Sequence, residues 1–161
     1  MICVCFEPVG RPDARALIVG SMPGTASLAA GEYYAHPRNA FWPILFRCFH
    51  APYSGSYEEK KRLIEENGLA LWDTVGSCLR EGSLDSGMRG IRPNDFGAFF
   101  ARYPHIRTVL CNGKTAYDLF SRTGAGGGRT VLRMPSTSPA YTLPYAEKEE
   151  IWLRALEQAL G

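Results

Sequence analysis

Two segments of the chain concentrate the side chains able to carry chemistry. The first is Gly20-Ser-Met-Pro-Gly24, resumed by Tyr33-Tyr-Ala-His-Pro-Arg-Asn-Ala-Phe-Trp42; the second is Met134-Pro-Ser-Thr-Ser-Pro-Ala140. Ser136 and Ser138 carry short hydroxyls able to bond phosphate oxygens, on a loop that Pro135 and Pro139 stiffen. The familiar nucleotide patterns fail. Gly113-Lys-Thr115 looks like the end of a P-loop, but the glycine required five places earlier is Thr108. Gly124-Ala-Gly-Gly-Gly128 has only the first spacing of a dinucleotide fingerprint; Arg129 takes the last position and a strand follows, so the run reads as a surface turn. There is no G-x-S-x-G elbow, no H-E-x-x-H and no zinc-spaced Cys/His set. No metal and no cofactor is expected.

The elements that must position these segments follow from hydrophobic pattern. Ala16 to Gly20 is a short, wholly apolar run ending in Gly, the mark of a buried parallel strand. A long loop is expected from Ser21 to Pro37. Helices are expected at Asn39 to Phe49, where Asn39 can cap the first turn, and at Ser56 to Asn67, closed by Gly68. Leu69 to Val75 is strand-like, Asn94 to Arg102 opens on a capping residue and reads as a helix, and Thr108 to Cys111 is a strand. Lys114 to Ser121 is helical, Arg129 to Met134 a strand, and Tyr145 to Leu160 a terminal helix with Trp152, Leu156 and Leu160 along its core-facing stripe. Strands alternating with helices predict an α/β fold, a three-layer α/β/α sandwich on a short, mainly parallel sheet. Functional loops leave the carboxyl ends of such strands. They fall here after Gly20, Cys111 and Met134.

A chain of 161 residues, 45% hydrophobic and 21% charged, suits one domain over residues 1–161 with a core that needs no disulfide. Its five cysteines are scattered, with Cys3 and Cys5 alternating along a strand-like run, so free thiols in a reducing cytoplasm are expected. No run is long and apolar enough for a membrane span, so no membrane partner is expected. The net charge of +2 announces nothing, but its distribution is uneven. Nine basic residues face four acidic ones between Arg80 and Arg133, a surplus of five that fits a basic face following phosphates.

Taken together, Gly20-Ser-Met-Pro-Gly24, His36-Pro-Arg-Asn-Ala-Phe-Trp42 and Met134-Pro-Ser-Thr-Ser138 resemble the uracil-DNA glycosylase superfamily. Leu71-Trp-Asp-Thr-Val75, Gly82-Ser-Leu-Asp-Ser86 and Asn112-Gly-Lys-Thr-Ala116 extend the likeness, which runs from about Ala16 to Tyr141. The chain is most similar to the hypoxanthine-DNA (deoxyinosine) branch, near the mismatch-specific uracil and thymine glycosylases. The resemblance implies a monofunctional, monomeric enzyme without an obligatory protein partner, one that extrudes a deaminated base from double-stranded DNA and hydrolyses its N-glycosidic bond in base excision repair. It implies Asn39 as the catalytic residue, its amide positioning water and donating to the departing base. Tyr34, Asn112, Ser21 and Met22 are implied around the base: Tyr34 stacks, and Asn112 reads a lactam edge by donating and accepting at once. Ser136, Thr137, Ser138, His36 and Arg38 are implied toward DNA.

The chain departs from the wider superfamily at two positions. Met22 stands where many branches carry Asp or Asn, and Met134 where the best-known uracil enzymes begin the second loop with His. Both changes shift the burden onto Asn39. Two other readings stay open at this level: a DNA-binding module that kept the fold and lost activity, and an enzyme acting on free nucleosides.

Overall fold

The computed structural model describes all 161 residues. In chain order the elements are β1 (Ile2–Val4), β2 (Val9–Gly10), β3 (Ala16–Gly20), α1 (Thr25–Ala30), α2 (Phe41–Cys48), α3 (Tyr57–Glu66), β4 (Leu69–Asp73) and β5 (Val75–Leu79). There follow β6 (Arg89–Pro93), α4 (Phe96–Arg102), β7 (Thr108–Asn112), α5 (Lys114–Thr123), β8 (Thr130–Met134) and α6 (Tyr145–Leu160).

The main sheet has the order β2-β4-β3-β7-β8, with β3, β4, β7 and β8 mutually parallel and β2 antiparallel at one edge. Ile18 of β3 sits between Leu71 and Leu110, and every residue of β3 is buried. Because side chains alternate along a strand, Ala16 and Ile18 join one core while Leu17 and Val19 join the other. The first core packs Phe41, Ile44 and Leu45 of α2, Leu63 and Ile64 of α3, and Trp152 and Leu156 of α6. The second packs Phe96, Phe99 and Phe100 of α4 with Ala116 and Phe120 of α5. This is a three-layer α/β/α sandwich.

Local signals end the helices as their chemistry requires. The Ser56 hydroxyl accepts from the Glu59 amide at 3.4 Å, and Gly68 turns the chain out of α3 with φ +72°. At α4 the cap is Asp95, which accepts from Ala98 N at 3.0 Å; Asn94 instead donates to the Asp73 carbonyl at 2.7 Å.

Three expectations are corrected. The stretch from Ser21 to Pro37 is not loop throughout, since it holds the short helix α1, closed by Gly31 with φ +69°. The run Leu69 to Val75 is not one strand. Thr74 N and Val75 N reach back to the Gly20 and Ser21 carbonyls at 2.8 and 3.0 Å, and β5 then leaves to pair with β1 and β6 in a separate three-stranded antiparallel sheet. The basic surplus is not one face either. Arg80 is buried, while Arg129 donates to the Ile106 carbonyl at the opposite end of the sheet from β7's carboxyl terminus and lies over the Phe100 ring. No helix is long and apolar enough to cross a membrane.

Candidate active site

A cleft of about 750 Å³ opens at the carboxyl edge of the parallel sheet. Its lining comes from the last residues of β3, β4 and β7 and from the connections after β3, β5 and β8. The ends of the parallel strands meet there because they all run to the same edge, and the β5–β6 connection of the small sheet closes one side.

Gly20 ends β3, and its lack of a side chain opens the floor: a Cβ there would come 2.6 Å from Asp73 Oδ1 and 3.1 Å from the Tyr34 hydroxyl. Ser21 Oγ donates to Asp85 Oδ1 at 2.7 Å. Met22 touches the cleft but is buried with Cys3, Val75 and Cys78 beneath the small sheet. Arg80 lies under this loop and donates to the Pro23 carbonyl. Met134 is packed into the main core, so both methionines serve packing.

Tyr34 adopts φ +54°, a backbone conformation that costs an aromatic residue free energy and is held only by its surroundings. Those surroundings are identifiable. Trp42 Nε1 donates to the Tyr33 carbonyl at 2.8 Å, and Ala35 N donates to Ser27 Oγ at 3.0 Å. The Tyr34 ring stacks on Phe41 at 4.0 Å and 25°, which backs one face. Its hydroxyl is buried without a partner, and burial pushes its pKa far up, keeping it a neutral phenol.

Asn39 precedes α2. Its Oδ1 accepts from Phe41 N at 2.9 Å, which leaves the NH₂ group as its free end. His36 and Arg38 are exposed on the rim, and Arg38 N donates to His36 Nδ1 at 3.1 Å.

Asn112 is the last residue of β7, and Gly113 follows with φ +100°, where a Cβ would meet Ser136 Cβ at 3.2 Å. The Asn112 amide donates to Thr137 Oγ1 and its oxygen accepts from Thr137 N, both at 3.0 Å. One N–H and one lone pair remain for any other partner. Thr137 is turned inward, with 1% of its surface exposed. Ser136 Oγ and Ser138 Oγ accept from Ser138 N and Ala140 N, each at 3.2 Å, so their hydroxyl hydrogens stay available to an anion.

The reading from sequence left out Asp73, the most perturbed acid in the cleft. It ends β4, is 3% exposed, and has Oδ2 without a partner. Burial, aided by Asp85, pushes its carboxyl up to about 7, against the opposing pull of the Gly20 amide and Arg80. Its signal was present in the sequence: an acid closing the apolar run Leu69-Ala-Leu-Trp-Asp73 is a buried acid in waiting. No group of three His, Cys, Asp or Glu side chains meets in a geometry able to hold a metal.

A family profile described as the Uracil DNA glycosylase superfamily matches residues 7–159. The chain is 28% identical over 154 residues to a hypoxanthine DNA glycosylase of Methanosarcina barkeri (strain Fusaro / DSM 804), covering 95% of this chain and 97% of the relative. It is 30% identical over 150 residues to a hypoxanthine DNA glycosylase of Methanosarcina acetivorans, covering 91% and 93%. Among solved structures it is similar to a Methanosarcina acetivorans protein determined by solution NMR and provisionally described as a uracil DNA glycosylase. That likeness has a TM-score of 0.82 at 30% identity, over 98% of this chain and 99% of the other.

Proposed function

The chain belongs to the uracil DNA glycosylase superfamily, and we propose that it removes deaminated bases from double-stranded DNA, hypoxanthine first and uracil second, leaving an abasic site for base excision repair. One observation carries this reading. The Tyr34 hydroxyl and Asp73 Oδ2 are two of only four buried side-chain polar atoms without a partner, and their residues flank Gly20 on the floor of one cleft. Such atoms are costly unless something pairs with them. A flipped base supplies what they lack: a flat face for the Tyr34 ring and a polar edge for the floor. The two Methanosarcina relatives, both described as hypoxanthine DNA glycosylases, support hypoxanthine as the first substrate.

The chemistry asked of the site is heterolysis. The bond from C1′ to the base nitrogen breaks, its electron pair leaves with the base, and water oxygen bonds to C1′ while its proton is passed on to the departing base. With Oδ1 held by Phe41 N, Asn39 directs its NH₂ outward, where it can hold the water oxygen or meet negative charge growing on the base. The neutral Tyr34 phenol adds a donor, and below its titration near 7 the Asp73 carboxyl adds a second. A lactam edge offers a carbonyl acceptor beside an N–H donor, the pattern that a neutral carboxyl matches, and the remaining N–H of Asn112 can donate to a base carbonyl. Ser136, Ser138 and Arg38 face the strand, and the enzyme works as a monomer in the cytoplasm without a cofactor.

A panel of duplexes, each carrying one deoxyinosine, deoxyuridine or normal nucleotide, tests this reading when scored for abasic sites. Hypoxanthine is expected to be released fastest, with free deoxyinosine left intact. Release of uracil alone overturns the substrate assignment in favour of a mismatch-specific uracil enzyme. Cleavage of free nucleosides but not of duplexes overturns the DNA reading.

A further inference from the structure

The first half of the loop between β8 and α6 is tied by hydrogen bonds to three other elements. Trp152 Nε1 donates to the Pro135 carbonyl at 2.9 Å, and Lys148 Nζ donates to the Ser138 carbonyl at 2.9 Å. These two residues lie four apart on α6 and so reach the loop from one helix face. Between them stands Thr137, which makes three bonds to two other elements. Its N–H and Oγ1 engage both ends of the Asn112 carboxamide at 3.0 Å, and its carbonyl accepts from Ala40 N, also at 3.0 Å. Ala40 is the residue after Asn39 and immediately precedes α2.

We propose that Thr137 is the positioning residue of this site, joining the loop that meets DNA to Asn112 on one side and to the segment carrying Asn39 on the other. The inference rests on the glycosylase reading above and deepens it. Its side chain does not itself grip a phosphate, because the residue is buried and turned inward. Pressure on Ser136 or Ser138 from the strand is instead passed through Thr137 to the Asn112 amide and to the backbone beside Asn39. A carboxamide can be flipped end for end at little cost when free, and the paired bonds to Thr137 remove that freedom. Seating the loop and aligning the Asn112 amide are therefore one event. Misplacement of a reacting group by about 1 Å costs on the order of 10²-fold in rate, so a single such hinge has leverage.

Thr137→Val keeps the shape and removes the hydroxyl; Thr137→Ser restores it. In single-turnover assays on a deoxyinosine duplex, Thr137→Val is expected to slow base release about 10- to 100-fold with duplex affinity little changed, and Thr137→Ser to recover most of the loss. Combining Thr137→Val with Asn112→Ala should be no slower than Asn112→Ala alone, since a residue acting through another adds nothing once that other is gone. A second measurement needs no activity. The side-chain amide resonances of Asn112 in ¹⁵N-labelled protein should shift, and exchange faster with solvent, in Thr137→Val but not in Thr137→Ser. Unmoved amide resonances overturn the proposal, as does a Thr137→Val enzyme of wild-type rate. If wild type releases no base yet the resonances shift as described, the glycosylase reading falls and the linkage through Thr137 stands.

Discussion

Phe120 and Asp73 are both almost wholly buried, yet their surroundings obey opposite rules. Phe120 lies on α5 against the sheet, edge-on to Phe96 at 4.9 Å, in a core where every buried side-chain polar atom has its partner. Asp73 lies at the carboxyl end of β4, where the four exceptions of the whole chain gather: its own Oδ2, the Tyr34 hydroxyl, and Nε and Nη1 of Arg80. The faces of the sheet are dry and satisfied. Its carboxyl edge carries unpaired polar groups, a left-handed Tyr34 and a carboxyl pushed to about 7. Stability is concentrated on the faces, and at the edge it is given up for binding capacity.

The largest expected effect tests the first half of that contrast. Phe120→Ala empties a packed core and should cost about 3–5 kcal/mol of stability. Because Phe120 is absent from the cleft, the folded fraction should still release base at the wild-type rate. Denaturant unfolding paired with single-turnover assays reads both, and a parallel fall in rate per folded molecule breaks the separation of core from edge.

Asn39→Ala tests the second half. Losing one preorganised donor should slow base release by about 10²-fold, while losing its bond to Phe41 N should cost only about 1 kcal/mol of stability. A variant keeping more than about a third of the wild-type rate, against the 10²-fold loss expected of a removed donor, leaves Asn39 as a helix-start residue alone.

The smallest effect has the opposite sign. The Asp73 carboxyl sits near 7 in the folded chain against an ordinary value of 3.8, raised chiefly by burial. Between those values the folded chain holds a proton that the unfolded chain has released, so this group's contribution is full below about 4 and is lost as pH rises through about 7. Asp73→Asn cannot ionise and should make the protein more stable than wild type at pH 8, by about 1–3 kcal/mol, with little difference at pH 4. Melting temperatures at the two pH values check it, and an equal difference at both removes the claim that burial of charge sets the edge apart.

Much of this was legible without coordinates. The buried strand Ala16 to Gly20, the terminal helix Tyr145 to Leu160, the capped helix after Ser56 and the meeting of loops at one sheet edge all follow from local rules: apolar runs, helical period and capping residues. The small antiparallel sheet was not legible. Its strand Arg89–Pro93 is exposed throughout and carries Gly and Pro, so no alternation of apolar residues marks it. Tyr34, Asn39, Asn112 and the Ser136 loop were legible through the resemblance of their motifs to the family, and the strand order brings their loops to one edge. What only the tertiary structure decided is how those groups are spent. Asp73 becomes a cleft residue because β4 lies beside β3 and ends opposite Gly20. Thr137 turns from the strand-facing surface to the interior because Asn112 and Ala40, respectively 25 and 97 positions earlier in the sequence, present the partners that its backbone and hydroxyl require. Sequence determines which hydrogen-bonding groups a residue owns; distance in space determines which of them are still free.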